Sequence, residues 1–361
     1  MRICGRALPV WQTLRAVLST GFVSAVLHAT AGAASAPLTL RIVGGLSGLN
    51  QYTQFEEPFW TRELPRLSAG RYQADIAPFD RSGVPGPDML RLLHFGVLPF
   101  GNALLSNIST QYPELAAPDL AGLNPDIDSL RKNLATFRPF LEKILRDEHG
   151  IELLAVYTYP AQVMHCKTEF KSLRDLAGRQ VRVASATQAD LVSALGATPL
   201  LIRLPEVMAS MHNGAIDCAV TGAMSANTIG LYKETHFVSA MPITWGLSFF
   251  GANHNAWSAL PTDLQELLRR ELPKLEAAIW ANSERETQEG LACNTGQATC
   301  LHGHLGAMRQ VPMTAADDAF RRSVFGRTVL QHWIQRSGGD NATLWNQTIG
   351  QRSGITAPAP N

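Results

Sequence analysis

An arginine inside an apolar segment is the residue whose setting most directly suggests chemistry. Arg182 lies between Val181 and Val183, in a short run that predicts a buried strand. Burying an unpaired guanidinium is costly, and its planar donor fork matches the two oxygens of a carboxylate. The residues alone leave its partner open: an internal aspartate such as Asp175 or Asp190, water on the other face of the strand, or a bound carboxylate.

The familiar motifs of nucleophilic and metal-assisted catalysis do not occur in the sequence after residue 33. It contains no Gly-x-Ser-x-Gly elbow, phosphate loop, His-Glu-x-x-His helix or Cys-x-x-Cys pair. The adjacent Asp317 and Asp318 favour a helix start, because acidic side chains complement the positive end of the helix dipole. The histidines are scattered along the chain, at His94, His165, His212, His236 and His254. We therefore predict neither an enzyme nor a bound metal or cofactor.

The first residues have the composition of a signal peptide. Residues 1–15 contain three arginines and no acidic residue, and an apolar run over residues 16–29 leads to small residues at 31–33. We predict cleavage near residue 33 and export, with no later segment that could span a bilayer. The chain has 31 basic and 30 acidic residues. Removal of the three signal-peptide arginines leaves more acidic residues than basic ones, so a nucleic-acid partner is not predicted.

Two cysteines close together predict a disulfide. Cys293 and Cys300 enclose a turn-forming stretch, and in an oxidising compartment such a pair most simply closes a loop. A metal cluster that adds His302 and His304 is the alternative, although the spacing is not a standard zinc pattern. The other pair, either a second bridge or two buried thiols, is Cys166 and Cys218.

Short apolar runs that predict strands alternate with segments of helical periodicity. The strand candidates are residues 38–43, 72–79, 151–157, 181–184, 200–204 and 216–220. Residues 263–288 predict one long helix with a kink at Pro273, and residues 308–350 are predicted to be largely helical. The alternation predicts an α/β fold, and the lack of a linker suggests that the chain crosses between two lobes more than once.

Several motifs, in a common order, resemble one family of transport proteins. Residues 173–183 read Leu-Arg-Asp-Leu-Ala-Gly-Arg-Gln-Val-Arg-Val. This segment is similar to the D-L-x-G-x-x-x-R-V run of the solute-binding proteins of TRAP (tripartite ATP-independent periplasmic) transporters, dicarboxylate-binding type. Residues 196–199 and 205–217 resemble the G-A-x-P run of that family and its P-E run ending in G-x-x-D. Residues 86–96 and 257–265 resemble a first-lobe helix and the start of its bridging helix.

The resemblance covers nearly all of the exported chain and implies its fold. That fold is the α/β two-lobed periplasmic binding protein fold, with discontinuous domains, hinge crossings and a long bridging helix. The implied division is a signal peptide over residues 1–33, lobe I over 37–159 and 247–287, and lobe II over 160–246 and 288–361.

The resemblance also implies which residues bind the ligand. The arginine with which the family fixes a substrate carboxylate, on a strand of the second lobe, matches Arg182. Some relatives carry a second arginine about twenty residues earlier, where this chain has Gln162, and many carry an asparagine where it has Thr221. The missing second arginine favours a ligand with one carboxylate, such as a 2-oxo, hydroxy or aromatic acid, whereas the Thr221 hydroxyl can still donate to a carboxylate.

Five further candidates lie at predicted strand ends or crossings. Tyr157, Tyr159 and Trp245 are either aromatic walls of the binding site or packed core residues. Asn50 and Tyr52 follow the glycine turn after the first strand and approach the crevice from the first lobe, unless Asn50 serves as a helix cap.

The implied function is that of a monomeric periplasmic protein that captures a small organic acid and delivers it to the TRAP membrane permease subunits. Two other classes remain open at this point: an exported enzyme on a similar scaffold, and a sensor subunit that docks on a receptor. The first requires turnover of the ligand, and the second requires a different docking partner.

Overall fold

The computed structural model describes residues 36–358, and the predicted signal peptide, residues 1–33, lies outside them. The strands are β1 (Leu38–Gly44), β2 (Tyr72–Pro78), β3 (Phe100–Leu104), β4 (Ile151–Thr158), β5 (Gln162–Cys166), β6 (Gln180–Val183), β7 (Thr198–Leu201), β8 (Cys218–Gly222), β9 (Phe237–Ser239), β10 (Leu247–Asn253) and β11 (Arg309–Val311). The α-helices are α1 (Leu64–Leu67), α2 (Met89–His94), α3 (Leu105–Ile108), α4 (Ile127–His149), α5 (Ala186–Ala194), α6 (Val207–His212), α7 (Ala223–Thr228), α8 (His254–Ser258), α9 (Thr262–Asn294), α10 (Ala315–Val324), α11 (Leu330–Ser337), α12 (Gly339–Gln347) and α13 (Ile349–Ser353).

Two mixed sheets form the framework, one for each lobe. The first has the strand order β2-β1-β3-β10-β4, and the second has the order β11-β9-β5-β8-β6-β7. β10 returns to the first sheet and pairs antiparallel with β3 and β4. The chain therefore crosses between sheets after residue 158 and again before residue 247. This two-sheet α/β architecture agrees with the prediction, while the predicted lobe bounds themselves stay a prediction.

The first lobe has its core between its sheet and the helices on one face. Leu40 and Ile42 lie two residues apart on β1 and face the same side, because side chains alternate along a strand. They pack in one apolar cluster with Trp60, Phe250 and Leu264. Trp60 comes from π-helical turns at Gln51–Glu56 and Phe59–Glu63, which place the chain after β1 against the sheet.

The long predicted helix is present and joins the two lobes. α9 is a 33-residue helix that runs through Pro273 without a break. Against the first lobe, its Ser283 Oγ donates to Thr158 O at 2.6 Å. Near its end, Asn294 Nδ2 donates to Ala223 O at 2.9 Å, at the start of α7 in the second lobe. None of the helices in residues 36–358 combines the length and apolar character that a membrane crossing requires.

The C-terminal segment is mostly helical, as predicted, with one exception. Residues 309–311 form β11, because they find a parallel partner in β9 at the edge of the second sheet. Asp317, predicted to favour a helix start, forms a capping box with Thr314 at the start of α10. On α11, Trp333 Nε1 donates to Pro113 O at 2.7 Å and so fixes the helix to the connection that precedes α4.

Both cysteine pairs of the described chain are bridged. Cys293 and Cys300 form the predicted disulfide, which removes both thiolates from the alternative metal cluster. The open question over the other pair is also answered, because Cys166 is bonded to Cys218. The two residues lie directly opposite each other on β5 and β8, so the bridge fixes the register of these strands.

Candidate functional site

A cavity of about 840 Å³ lies between the two sheets. Its walls are the segments that follow β1, β2 and β3 in the first lobe and those that follow β6 and β7 in the second, together with the two crossings. Loops at the carboxyl ends of parallel strands commonly form ligand sites in α/β proteins. The volume is within the range of small-molecule sites, roughly 300–1,000 Å³.

Arg182 faces this cavity from β6, which lies between β8 and the edge strand β7 of the second sheet. Its side chain is buried, and only 4% of the residue surface is exposed. Nε donates to Ile202 O at 2.7 Å, and Nη1 donates to Val220 O at 2.6 Å. Both carbonyls belong to segments beside β6, so they orient the guanidinium. Nη2 has no hydrogen-bond partner within residues 36–358, and the residue lines the cavity.

The internal aspartates proposed as partners of Arg182 are engaged elsewhere. Asp190 forms an ion pair with Arg336, with 2.5 Å between the closest atoms. Asp175 accepts from the backbone of Lys171 and Ser172 and caps a helical turn. No ion pair of Arg182 occurs in the described part of the chain, and burial lowers its pKa to about 10. It therefore remains a cation at neutral pH without an internal counter-ion.

Gln162 and Thr221 lie beside Arg182 at the cavity wall. β5 and β8 are antiparallel, with Val163 opposite Thr221, so the two side chains come from adjacent strands. Gln162 Nε2 donates to Pro160 O at 2.9 Å. The hydroxyl groups of Thr187, Ser225 and Thr244 add polar atoms to the same wall.

Of the aromatic candidates, only Tyr159 lines the cavity. Tyr157 lies in the first core with its ring stacked at 6.4 Å from that of Phe250. Trp245 directs Nε1 to Asn124 O at 3.4 Å and packs in the interior beside the crossing. Tyr157 lies on β4, which ends at Thr158, whereas Tyr159 lies in the crossing that follows and lines the cavity there.

The two first-lobe candidates are engaged with protein atoms outside the large cavity. Asn50 Nδ2 donates to Glu286 Oε1 at 2.5 Å, which joins the loop after β1 to α9. The residue makes no side-chain cap of the helical turn that follows it. The Tyr52 hydroxyl donates to Ile76 O at 3.3 Å, and burial raises its pKa to about 12.

Sequence reasoning missed a carboxylate at the crossing, Asp119. It lines the cavity and accepts hydrogen bonds from the backbone N–H groups of Trp245 at 3.0 Å and Gly246 at 2.8 Å. Burial raises its pKa to about 7 even though these bonds favour the anion. Asp119 holds one crossing against the segment before α4. No periodicity marks the segment around it, so the sequence carried no signal for this role.

A second buried carboxylate, Glu56, lies behind the first-lobe wall of the cavity. It accepts hydrogen bonds from Gly45 N, Gln51 Nε2 and Asn102 Nδ2 at 2.7–3.1 Å. A Cβ atom on Gly45 would lie 2.7 Å from Glu56 Oε1, so a larger residue there would displace the carboxylate. Burial raises the pKa of Glu56 to about 7. Its signal in the sequence was weak, because Glu56 and its exposed neighbour Glu57 look alike.

Two α/β lobes, a cavity between their sheets and a buried cation facing that cavity are the features expected of a solute-binding protein. Residues 50–302 match the family model of the bacterial extracellular solute-binding proteins, family 7 (DctP). The chain belongs to this family, which confirms the predicted resemblance to TRAP solute-binding proteins.

Solved structures share the fold at low sequence identity. DctP7 from Bordetella pertussis, an extracytoplasmic solute receptor binding pyroglutamic acid, is 21% identical with a TM-score of 0.74, and the match covers 85% of this chain and 98% of that one. A TRAP periplasmic solute binding protein from Desulfovibrio salexigens, with bound orotic acid, is 17% identical with a TM-score of 0.75 over 87% and 98%. One from Pseudomonas aeruginosa, with bound L-malate, is 15% identical with a TM-score of 0.68 over 80% and 97%.

Proposed function

We propose that this protein binds a small organic carboxylate in the cavity between its lobes and delivers it to the membrane permease of a TRAP transporter. The observation that carries the proposal is the Arg182 guanidinium, which is buried, has no carboxylate partner in residues 36–358 and lines the cavity. A bound carboxylate supplies the missing counter-ion.

The binding step follows from the geometry of the guanidinium. Two backbone carbonyls hold Nε and Nη1, so the fork is oriented before the ligand arrives and Nη2 remains to donate. Closure of the lobes excludes water and strengthens the ion pair, because charges interact more strongly at low dielectric constant. Gln162 and Thr221, on the adjacent strands, provide hydrogen bonds to the remaining oxygens of the ligand.

The ligands of similar structures support the choice of an organic acid. Pyroglutamic acid, orotic acid and L-malate differ in size and shape, yet each carries a carboxylate. The proposal places this protein in the periplasm, exported by the signal peptide predicted at residues 1–33, where its task is binding and transfer rather than catalysis.

A thermal-shift screen of organic acids on the wild type and on Arg182→Ala tests the proposal. A ligand that binds only the folded state at 100 times its Kd stabilises that state by about 2.7 kcal/mol, so a true ligand raises the Tm clearly. Arg203→Ala is the control, because Arg203 lies at the cavity rim in an exposed ion pair with Glu206. An equal shift in the wild type and Arg182→Ala contradicts the proposal, and chemical conversion of the ligand indicates an enzyme instead.

A further inference from the structure

The charges around the cavity are distributed unevenly. The lining residues include two arginines, but Arg203 is exposed and its Nε donates to Glu206 Oε1 at 2.8 Å. Arg182 is thus the single buried cation among the lining residues of the described chain. Two carboxylates, Asp80 and Asp119, also line the cavity. A second anionic group on a ligand would meet these acids and no second buried cation, which costs free energy when water is excluded.

Much of the first-lobe wall opposite Arg182 is hydrocarbon, with polar side chains such as Asp80, Ser106 and Asn107 among it. The loops after β1 and β2 contribute side chains that can neither donate nor accept a hydrogen bond: Leu46, Leu49, Phe79, Val84, Pro85 and Pro87. These apolar side chains stabilise a ligand by removing apolar surface from water, and they give no hydrogen bond to a polar or charged group.

A leucine at the mouth of the cavity provides independent support. Leu201, at the end of β7, lines the cavity and is 70% exposed. The next residue, Ile202, also lines the cavity, and its carbonyl holds Arg182. An apolar group of the ligand therefore covers hydrocarbon on both lobes while its carboxylate remains at the guanidinium.

We infer that the ligand is a monocarboxylate with an uncharged, apolar body, such as a medium-chain or aryl-substituted acid, rather than a dicarboxylate. This inference rests on the proposed function, because it assigns the carboxylate to Arg182 and the body to the leucine and proline wall. The position that matches the second arginine of some relatives is the neutral Gln162, whose Nε2 is already bonded to Pro160 O.

Calorimetric titration with two matched ligand series tests the inference. One series is propanoate, butanoate, pentanoate and hexanoate, with 3-phenylpropanoate as the aryl member; the other is succinate, glutarate and adipate. Each buried methylene is expected to tighten binding by about fourfold. We expect hexanoate or 3-phenylpropanoate to bind tightest and adipate to bind at least about tenfold more weakly than hexanoate, a difference of about 1.4 kcal/mol.

Two variants test separately the apolar contact at Leu201 and the absence of a second cation at Gln162. Leu201→Ser is expected to weaken hexanoate several-fold, while the control Leu301→Ser, on an equally exposed leucine outside the cavity, leaves it unchanged. Gln162→Arg supplies a second cation and is expected to narrow or reverse the preference over adipate.

The possible results separate a failure of the monocarboxylate inference from a failure of the proposed function. Diacids that bind as tightly as the matched monoacids, with binding lost in Arg182→Ala, overturn the inference and leave the proposed function standing. Binding that does not grow with chain length also overturns the inference. If no acid of either series binds while the thermal-shift screen finds another carboxylate ligand, the inference alone fails; if Arg182→Ala binds its acid as well as the wild type does, both fail.

Discussion

Two buried arginines of this protein have nearly equal exposure and different surroundings. Arg321 on α10 is 2% exposed and donates through Nε and Nη2 to Asp318 Oδ1 at 3.0 and 2.6 Å, and through Nη1 to Gly122 O. Arg182 is 4% exposed and is bonded to two carbonyl oxygens only. Arg321 is thus neutralised within the protein and joins α10 to the connection before α4. Arg182 has its orientation fixed but its charge left uncompensated, which is the state that a binding site for an anion requires.

The largest expected effect is that of Arg182→Ala on ligand affinity. Removing one partner of a buried, hydrogen-bonded charge pair costs about 2–5 kcal/mol, so we expect affinity for the best carboxylate to fall by at least about 30-fold. Arg321→Ala should leave affinity within about threefold, because its guanidinium lies outside the cavity. Calorimetric titration measures both. Equal losses in the two variants would remove the distinction between the two arginines.

The buried Glu56 should make stability depend on pH. Burial raises its pKa from 4.5 to about 7, so the folded state holds the proton more tightly than the unfolded state. This contribution is complete below pH 4.5 and is lost as the pH rises through 7, a decrease of about 3 kcal/mol in the free energy of unfolding. Urea unfolding from pH 4.5 to 8 checks this.

The Glu56→Gln variant provides the comparison for that experiment. It should lose much of the slope with pH, whereas Glu57→Gln, at the exposed neighbour, should keep it. Asp119 makes stability fall with pH in the same direction, because burial raises its pKa to about 7. The quantity to compare is therefore the difference in the free energy of unfolding between wild type and variant at each pH. A variant slope equal to that of the wild type would contradict the assignment to Glu56.

Arg321→Ala should act on stability where Arg182→Ala acts on binding. Loss of its hydrogen bonds to Asp318 and Gly122 is expected to lower the free energy of unfolding by about 2 kcal/mol. The expected loss is kept modest because Asp318 is partly exposed and regains water. Arg322→Ala, at the exposed adjacent position, is the matched control and should change stability by less than about 0.5 kcal/mol. A neutral result for Arg321→Ala would show that this guanidinium is not a structural tie.

The smallest effects are expected at two tyrosine hydroxyls. The hydroxyl oxygens of Tyr157 and Tyr159 are buried, and among the described residues neither makes a hydrogen bond of good geometry, although that of Tyr159 lies near Leu46 and Gln51. Replacement by phenylalanine leaves no group newly unpaired, so stability should change by less than about 1 kcal/mol in each case. Ligand affinity should stay within about twofold for both, because the Tyr159 hydroxyl lies away from the cavity surface. A large loss in Tyr159→Phe alone would place that hydroxyl on the ligand.

Several parts of the molecule could be predicted from the sequence because their cause is local. Apolar runs of the right length mark β1, β2 and β4, and the helical periodicity before residue 288 marks most of α9. The short loop between Cys293 and Cys300 makes their bridge the simplest outcome. The importance of Arg182 could also be predicted from the sequence, because the cost of burying a charge depends on the residue and its immediate apolar neighbours.

Other parts depend on contacts between distant segments, and only the tertiary structure decided them. β5 and β9 are short and carry no distinctive pattern, and they become strands because their partners lie beside them. Period-two alternation allows either face of a crossing to meet the cavity, so sequence could not separate Tyr159 from Trp245. The roles of Asp119 and Glu56 likewise exist only after folding, because the backbone and amide groups that hold each carboxylate come from segments that the fold brings together.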